Sequence, residues 1–357
     1  MFSLFKRQEP ELGRVRIEPF GKEITVPKEQ SILQAALDAG LPFPHSCKVG
    51  TCMTCRSLLR SGAVKPIRDF SYVLSGEELQ AGYILACQAK VKPGEKCVLE
   101  IDVEADAPRH RQFTVAATLT GKKHLAHDII ELRLRSNGFF PYTAGQYAEL
   151  KATGFDRGRA YSFASKLGAG GSQEFRFFVR KIPGGDFTTW LFETAQVGDS
   201  IELNGPFGNF WLRSGIAPLV CIAGGSGLAP LISILQAAAE SQVKRELALL
   251  FGARTQRDLY ALDEIKCLAS SWPAKFTFIP VLSDEPEGSD WSGLRGLVTQ
   301  ALTQTQIPDL ALRHAYLCGP PPMIDAAILV LNQVGVDHRH IHYDKFLDAS
   351  DLARAEA

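Results

Sequence analysis

Four of the eight cysteines are spaced like the ligands of a metal centre. Cys47, Cys52 and Cys55 form a C-x4-C-x2-C pattern, and Cys87 follows much later in the chain. Zinc sites usually combine two well-separated cysteine pairs, whereas three of these cysteines share one loop and the fourth stands alone. Iron–sulfur clusters need several thiolates that converge on one point. The pattern favours a [2Fe–2S] cluster, with a zinc site and four buried structural cysteines as the alternatives.

A second group of residues, in the middle of the chain, has side chains suited to a flavin. The group consists of Arg159, Tyr161, Ser162, Val179, Arg180, Gly184, Gly185 and Thr188. A guanidinium can clamp a pyrophosphate, and a double glycine lets the backbone approach a phosphate closely. A tyrosine ring can pack on an isoalloxazine edge, and a serine hydroxyl can hydrogen-bond near the flavin N5. Each short motif alone is more often structural, so the order of the whole set carries the hypothesis.

A glycine-rich turn follows a strand that the apolar run Leu219–Ala223 predicts. The turn contains Gly224, Gly225 and Gly227, and Ala229 and Pro230 lie in the helix that we expect after it. Glycines at a strand-to-helix turn leave backbone N–H groups and the positive end of the helix dipole facing a phosphate. Proline suits the first helical turn. The spacing differs from the usual G-x-G-x-x-G fingerprint, so the turn alone is only suggestive of a dinucleotide site.

Two later segments extend this predicted nucleotide site. Arg254 and Asp258 follow the second predicted strand of the C-terminal segment, where a nucleotide-binding sheet contacts the adenosine ribose. A carboxylate there favours the free 2′-hydroxyl of NADH, whereas an arginine suits the 2′-phosphate of NADPH, so these two residues leave the donor open. The segment Cys318-Gly319-Pro320, with Met323 after it, follows the fourth predicted strand.

Composition excludes several classes of protein. Lysine plus arginine equals aspartate plus glutamate at 39 each, so the net charge gives no footprint for nucleic acid or an anionic membrane. The N-terminus has no apolar core or cleavage site of a secretory signal, and the most apolar stretch is interrupted by glycines. We therefore expect a cytoplasmic protein with reduced cysteines. Cys97, Cys221 and Cys267 are then predicted to be small buried hydrophobic residues.

The elements that position these groups fall into three predicted domains, residues 1–106, 107–213 and 214–357. The first has a hairpin around Gly21 and a short helix that starts at Ser31 and ends at Gly40. The second has short strands separated by Gly and Pro, which predicts an antiparallel β-barrel. In the third, five apolar strands alternate with helical patterns, which predicts a five-stranded parallel α/β sheet.

The cysteine pattern, over roughly residues 12–105, resembles plant-type and oxygenase-reductase [2Fe–2S] domains, which have a β-grasp-type ferredoxin fold. Met53 departs from that family, which often has glycine there. The R-x-Y-S, V-R and G-G-x-x-T motifs resemble the ferredoxin–NADP reductase superfamily, whose barrel has six strands. The same superfamily resemblance extends to the motifs G-G-x-G-x-A-P and C-G-P-x-x-M. It also includes the ending around Phe346, where Asp344 replaces the commoner glutamate.

The resemblance implies roles for the motif residues. Arg159 would contact the flavin phosphate, Tyr161 and Ser162 the flavin ring, and Gly185 and Thr188 the pyrophosphate. Cys318 would lie near the nicotinamide C4 and flavin N5, and Phe346 would shield the flavin. The match to ferredoxin-first members favours FAD over FMN, and A-R-T-x-x-D-L-Y segments in NADH-using reductases favour NADH.

Ferredoxin, FAD and NAD domains in this order resemble the reductase components of multicomponent bacterial oxygenases. The resemblance implies electron flow from NADH to FAD to the cluster, and then to a Rieske or di-iron oxygenase or its intermediate ferredoxin. A monomer would suffice. The alternatives are a reductase for a deoxysugar dehydratase, a sodium-pumping quinone-reductase subunit, which needs a membrane helix, and a non-enzymatic redox sensor. Basic residues near the cysteine loop, including Arg56 and Arg60, suggest docking on an acidic partner surface.

Overall fold

The structure, a computed structural model, describes residues 12–104, 106–166 and 172–347. The chain divides into an N-terminal unit, residues 1–112, and a C-terminal unit, residues 113–357. Among the described residues, no helix is both long and apolar enough to span a lipid bilayer.

The described part of the N-terminal unit has one main sheet with a helix packed on it. Its strands and helices are β1 (Gly13–Glu18), β2 (Lys22–Val26), α1 (Ile32–Asp38), β3 (Arg56–Ser61), β4 (Val64–Pro66), α2 (Gly76–Gln80), β5 (Tyr83–Leu85), β6 (Ala89–Val91) and β7 (Lys96–Ile101). The main sheet has the order β2-β1-β7-β3-β5, and β4 pairs with β6. Strands β1 and β7 pair in parallel, and the other strand pairs of the main sheet are antiparallel. This pairing confirms the predicted β-grasp-type fold.

Helix α1 shows how the local sequence sets an element of this unit. The Ser31 hydroxyl accepts the N–H of Gln34 (3.2 Å), as a helix N-cap should. The Gln34 side chain donates to Asp38 and does not return to the backbone of Ser31, so the reciprocal bond of a capping box is not formed. Gly40 follows the helix with φ +72°, which is the left-handed conformation expected after a helix end. The apolar face of α1 is buried in the core of the unit.

The first half of the C-terminal unit is a six-stranded antiparallel sheet, here called the barrel. Its elements are β8 (Phe113–Ala126), β9 (Ile129–Phe140), β10 (Tyr147–Ala152), β11 (Arg159–Ser162), β12 (Ser172–Arg180), α3 (Asp186–Glu193) and β13 (Ser200–Phe207). The strand order is β11-β10-β13-β8-β9-β12. The sheet curls until Phe163, just after β11, bridges Phe177 in β12, and the N–H of Ala164 donates to the carbonyl of Arg176 (2.7 Å). The predicted six-stranded barrel is confirmed.

The second half of the C-terminal unit is a parallel sheet flanked by helices. Its elements are β14 (Leu219–Gly224), α4 (Leu228–Glu240), β15 (Leu247–Ala253), α5 (Leu262–Ser271), β16 (Phe276–Leu282), β17 (Leu294–Arg295), β18 (His314–Gly319), α6 (Pro321–Gln333) and β19 (Ile341–Lys345). The order is β17-β16-β15-β14-β18-β19. The five predicted strands are present, and the two-residue edge strand β17 makes a sixth. One hydrophobic cluster joins the barrel to this sheet, with Phe178 and Phe210 packed beside residues of β14 and α4.

Candidate functional site

Strand pairing explains how the distant Cys87 reaches the cysteine loop. Cys55 immediately precedes β3, and Cys87 lies just after β5, in a short 3-10 helix. These strands pair antiparallel, with Arg56 opposite Leu85, and the N–H of Ala86 donates to the carbonyl of Cys55 (3.1 Å). The Cys55 and Cys87 thiols therefore interact directly, although a long stretch of sequence separates them.

The cysteine loop also points backbone N–H groups at sulfur. The N–H of Cys47 donates to Cys52 Sγ and the N–H of Thr51 to Cys47 Sγ, both at 3.4 Å. The Cys52 thiol, the Thr51 hydroxyl and the N–H groups of Val49 and Thr51 hold the pKa of the Cys47 thiol well below its usual value, although burial opposes this. Contact with Cys87, together with burial, raises the pKa of Cys55. Four gathered sulfurs with N–H donors fit the ligand set of a [2Fe–2S] cluster.

The loop backbone is tightly constrained at Gly50 and Met53. Gly50 has φ +87°, and a Cβ there would lie 2.6 Å from Gln88 Cγ, so a larger residue would push Gln88 away. Gln88 itself donates to the carbonyl of Lys48 (3.4 Å) and to Cys87 Sγ (3.7 Å), which ties the loop to the distant ligand. Met53, the departure from the related families, has φ +59° and packs against the core of the unit. A non-glycine residue in this left-handed region is strained.

We expect Met53→Gly to be more stable than Met53→Ala by about 1 kcal/mol, because both lose the side chain and only glycine relaxes the positive φ. Urea denaturation followed through loss of cluster absorbance would measure the difference. Equal midpoints would mean that the backbone at residue 53 is not strained.

The basic residues near the loop are partly neutralised. Arg56 pairs with Glu78, and Arg60 Nε lies 2.5 Å from Glu100 Oε2. The surface around these pairs stays polar. Its net positive charge is lower than the sequence suggested for docking on an acidic partner.

Three of the predicted flavin residues lie on β11, the edge strand of the barrel sheet that pairs with β10. Arg159 is exposed, with its guanidinium within hydrogen-bonding distance of the carbonyls of Arg157 and Gly158. Tyr161 packs against Phe187 with ring centroids 5.6 Å apart, and burial raises the pKa of its phenol. Ser162 is buried opposite Tyr147. This arrangement offers a cation, an aromatic ring and a hydroxyl along one strand.

The double glycine forms the N-terminal turn of α3. Gly184 has φ +72° and Gly185 is the N-cap, where a Cβ would lie 2.8 Å from Thr188 Oγ1. The Thr188 hydroxyl donates to carbonyls of its own turn, including that of Gly185 (3.1 Å), and it accepts the N–H of Ile182 (3.2 Å). Thr188 thus shapes the turn with its hydroxyl. The helix N-terminus and its bare glycine backbone fit a phosphate group.

Close backbone packing explains the glycines of the nucleotide turn. A Cβ on Gly227 would overlap the carbonyl oxygen of Cys318, and a Cβ on Gly224 would lie 2.6 Å from Met323 Sδ. Gly319 has φ +147°, and a Cβ there would lie 2.9 Å from the carbonyl oxygen of Gly224. The turn after β14 and the end of β18 can meet only because these positions lack side chains.

A pocket opens at the carboxyl ends of the parallel strands and extends to the barrel. Seven of the predicted cofactor residues line it, namely Arg180, Gly224, Gly225, Arg254, Asp258, Pro320 and Met323. The side chains of Val179 and Ala229 are buried in hydrophobic clusters instead, and Pro230 is buried in the first turn of α4. These three residues could serve a cofactor through their backbone atoms or by placing their neighbours.

Cys318 and Phe346 lie beside this turn. Cys318 is fully buried, and desolvation raises the pKa of its thiol, so it is neutral near pH 7. Its strand partner is Asp344, which is also buried. Phe346 is half-buried against the cluster that joins the barrel to the sheet, and its N–H donates to the carbonyl of Gly319 (2.9 Å).

The pocket also contains a residue that the sequence did not single out. Asp128 lies in the turn between β8 and β9, and its Oδ2 accepts from Arg180 Nε (3.0 Å) and Arg254 Nη2 (2.9 Å). Arg254 also binds Asp258, whose second oxygen accepts the N–H (2.9 Å) and the hydroxyl (2.8 Å) of Thr255. Partial burial opposes ionisation of Asp258, but these bonds hold its pKa below the usual value.

Comparison with known proteins gives the family. Family models match in the same order as the predicted domains: a 2Fe-2S iron-sulfur cluster binding domain at residues 15–92, an oxidoreductase FAD-binding domain at 116–211 and an oxidoreductase NAD-binding domain at 221–328. The electron transfer component of a xylene/toluene monooxygenase from Pseudomonas putida is 40% identical over 342 residues, covering 94% of each chain. The chain belongs to the ferredoxin–FAD–NAD reductase family.

Two further relatives extend the comparison. The reductase component of a phenol 2-monooxygenase from a Pseudomonas strain is 35% identical, over 95% of this chain and 96% of the relative. The crystal structure of an Amycolatopsis cytochrome P450 reductase is 34% identical, with a TM-score of 0.80 over 94% of this chain and 99% of that chain. The protein is accordingly an NADH-dependent oxidoreductase whose cofactors are a [2Fe–2S] cluster, FAD and NAD.

When bound, FAD and a [2Fe–2S] cluster would supply the redox chemistry of this reductase. The residues of the chain would hold these cofactors in position. The cysteine loop and Cys87 bring four sulfurs together, β11 and the turn before α3 offer groups for FAD, and the glycine turn leaves its backbone open to a phosphate. Cys318 is neutral and buried, so it adds no charge beside the glycine turn.

Proposed function

We propose that the reductase passes electrons from NADH through FAD and the [2Fe–2S] cluster to a partner oxygenase or its intermediate ferredoxin. The observation that carries this proposal is that Cys87 joins the three cysteines of the loop, in a chain that also has a nucleotide pocket. A plain flavin reductase has no use for such a loop. A cluster, in contrast, accepts and releases one electron at a time, which is what an oxygenase needs from its donor.

The proposed residue roles follow the motifs. Cys47, Cys52, Cys55 and Cys87 hold the cluster. Arg159 binds the flavin phosphate, Tyr161 and Ser162 contact its ring, and the backbone at Gly184, Gly185 and Thr188 faces the pyrophosphate. The glycine turn and Pro320 receive NADH, with Arg254 and Asp258 at its adenosine ribose. Cys318 lies at the reacting end of the nicotinamide, and Phe346 covers the flavin.

Three classes of acceptor deserve comparison. Named relatives of this chain serve a xylene/toluene monooxygenase and a phenol 2-monooxygenase, and another is the electron transfer component of a toluate 1,2-dioxygenase. The Amycolatopsis structure is that of a cytochrome P450 reductase. The acceptor of this reductase therefore belongs to a Rieske, di-iron or haem oxygenase system under the proposal.

A reconstituted assay tests this directly. The loaded reductase is mixed with NADH and one purified oxygenase of each class, and oxygenated product is measured against NADH consumed. We expect product from one class, with NADH and product close to one to one. If artificial one-electron acceptors are reduced quickly but none of the three oxygenases turns over, the acceptor lies outside these classes.

We also propose the three-domain division at residues 1–106, 107–213 and 214–357, a monomeric state and a cytoplasmic location. The ranges matched by the family models support the division, although the boundary between the two structural units falls a few residues later, between Gln112 and Phe113. None of the eight cysteines forms a disulfide, which suits a reducing compartment.

A further inference from the structure

A carboxylate from the barrel enters the nucleotide pocket of the parallel sheet. Asp128 belongs to the turn between β8 and β9, and its backbone carbonyl accepts the N–H of Lys181 (2.8 Å), which fixes the turn against the end of β12. Its side chain is mostly buried and lines the pocket together with Arg180, Arg254 and Asp258. The pocket is thus built by two halves of the C-terminal unit, and Asp128 is the acidic contribution of the barrel.

Asp128 and Asp258 hold one guanidinium between them. Arg254 Nη2 donates to Asp128 Oδ2 (2.9 Å) and to Asp258 Oδ1. Partial burial alone would lower the pKa of Arg254, but the two carboxylates raise it above its usual value. Asp128 also binds Arg180, so both arginines that line the pocket are paired with acids.

We propose that Asp128 is a specificity-determining residue that makes the pocket select NADH over NADPH, an inference that rests on the proposed placement of the adenosine ribose at Arg254 and Asp258. A 2′-phosphate needs a free cation, and here Arg254 Nη2 already donates to two carboxylates, which offset its charge. A 2′-hydroxyl, in contrast, can donate to a carboxylate. Arg254 and Asp258 alone leave the choice between NADH and NADPH open, and under this proposal Asp128 decides it.

The charge balance gives the expected effect of a change. With Asp128 present, a 2′-phosphate meets two carboxylates at close range, and like charges disfavour binding. Asp128→Asn keeps the side-chain shape, removes one negative charge and releases Arg254 on one side. The pocket should then accept a 2′-phosphate better while a 2′-hydroxyl loses little.

Two nucleotide fragments isolate the ribose contact from the redox chemistry. The dissociation constants of 5′-AMP and 2′,5′-ADP are measured by calorimetry on the loaded reductase, as wild type and as Asp128→Asn. Wild type should favour 5′-AMP. The variant should shift the ratio of the two constants about tenfold toward 2′,5′-ADP, as expected for loss of one nearby charge. High salt should shrink this shift.

Two further variants make the result specific. Glu202→Gln removes one exposed charge from the barrel away from the pocket and should leave the ratio unchanged. In an Arg254→Ala background, adding Asp128→Asn should give a smaller gain than in wild type, because no guanidinium is then released to meet the 2′-phosphate. If wild type binds 5′-AMP and Asp128→Asn leaves the ratio unchanged while melting normally, the inference is wrong and the proposed function stands. If wild type binds neither fragment, the ribose placement fails and the inference with it.

Discussion

Cys87→Ser should lower NADH-dependent reduction of cytochrome c by at least about a hundredfold. Mutation of a residue that only hydrogen-bonds a metal ligand already costs about 10- to 100-fold in activity, and loss of the ligand itself should cost more. Cys87 interacts with Cys55 and lies beyond the loop that holds the other three cysteines, so no neighbouring cysteine replaces it. Reduction of ferricyanide, a small acceptor that can take electrons from the flavin, should persist. The split between the two acceptors separates loss of the cluster from loss of the enzyme.

Cys97→Ser is the matched control. Cys97 is a buried thiol in the same unit, on β7, and its Sγ donates to the carbonyl of Ala63 (3.6 Å). A serine hydroxyl can make the same bond, so this variant should keep its iron content and both activities. Equal losses in the two variants would show that Cys87 acts through the fold and not as a ligand.

Gly227→Ala should impair the nucleotide site and the fold together. The new methyl group would overlap the carbonyl oxygen of Cys318, and neither backbone can yield without moving the glycine turn or Gly319. Overpacking against a core of this kind costs about 3 kcal/mol, which lowers Tm by roughly 6–12 °C. Displacing the turn by about 1 Å should slow flavin reduction by NADH about a hundredfold. Stopped-flow absorbance measures the rate, and calorimetry measures Tm.

Gly288→Ala controls for the substitution itself. Gly288 lies in the same unit, has no atom within 4 Å of the position of a new Cβ, and has no positive φ. This variant should behave like wild type in both measurements. A normal rate and Tm in Gly227→Ala would mean that the turn and β18 do not pack as closely as described.

The fold could be predicted where short-range patterns govern structure. Strands buried on both faces, such as β14, form continuous apolar runs, and turns between elements carry glycine or proline. The two longest strands, β8 and β9, were not individually predicted. Register shifts at Leu119–Gly121 and His124–Ala126 interrupt their alternation, and β8 exposes much of one face. The edge strand β17 is too short to have any period.

The site divides in the same way. Motif residues such as the four cysteines and the glycines have types and spacings that the chemistry requires, so the sequence indicated them. The prediction that Cys267 is buried was wrong. This residue is exposed on α5, because the amphipathic helix turns that position outward. Asp128 could not be predicted, since its partners Arg180 and Arg254 lie 52 and 126 residues further along the chain and meet it only after the barrel and the sheet have packed.

The central claim is one electron path from NADH through FAD to the cluster, and an anaerobic titration of the loaded reductase tests it most directly. Absorbance spectra are recorded as NADH, and in a separate sample NADPH, is added in small steps. We expect low NADH to bleach both the flavin bands and the broad iron–sulfur absorbance, and NADPH to do so only at much higher concentration. Bleaching of the flavin with an unchanged iron–sulfur spectrum, or no bleaching by NADH at all, would contradict it.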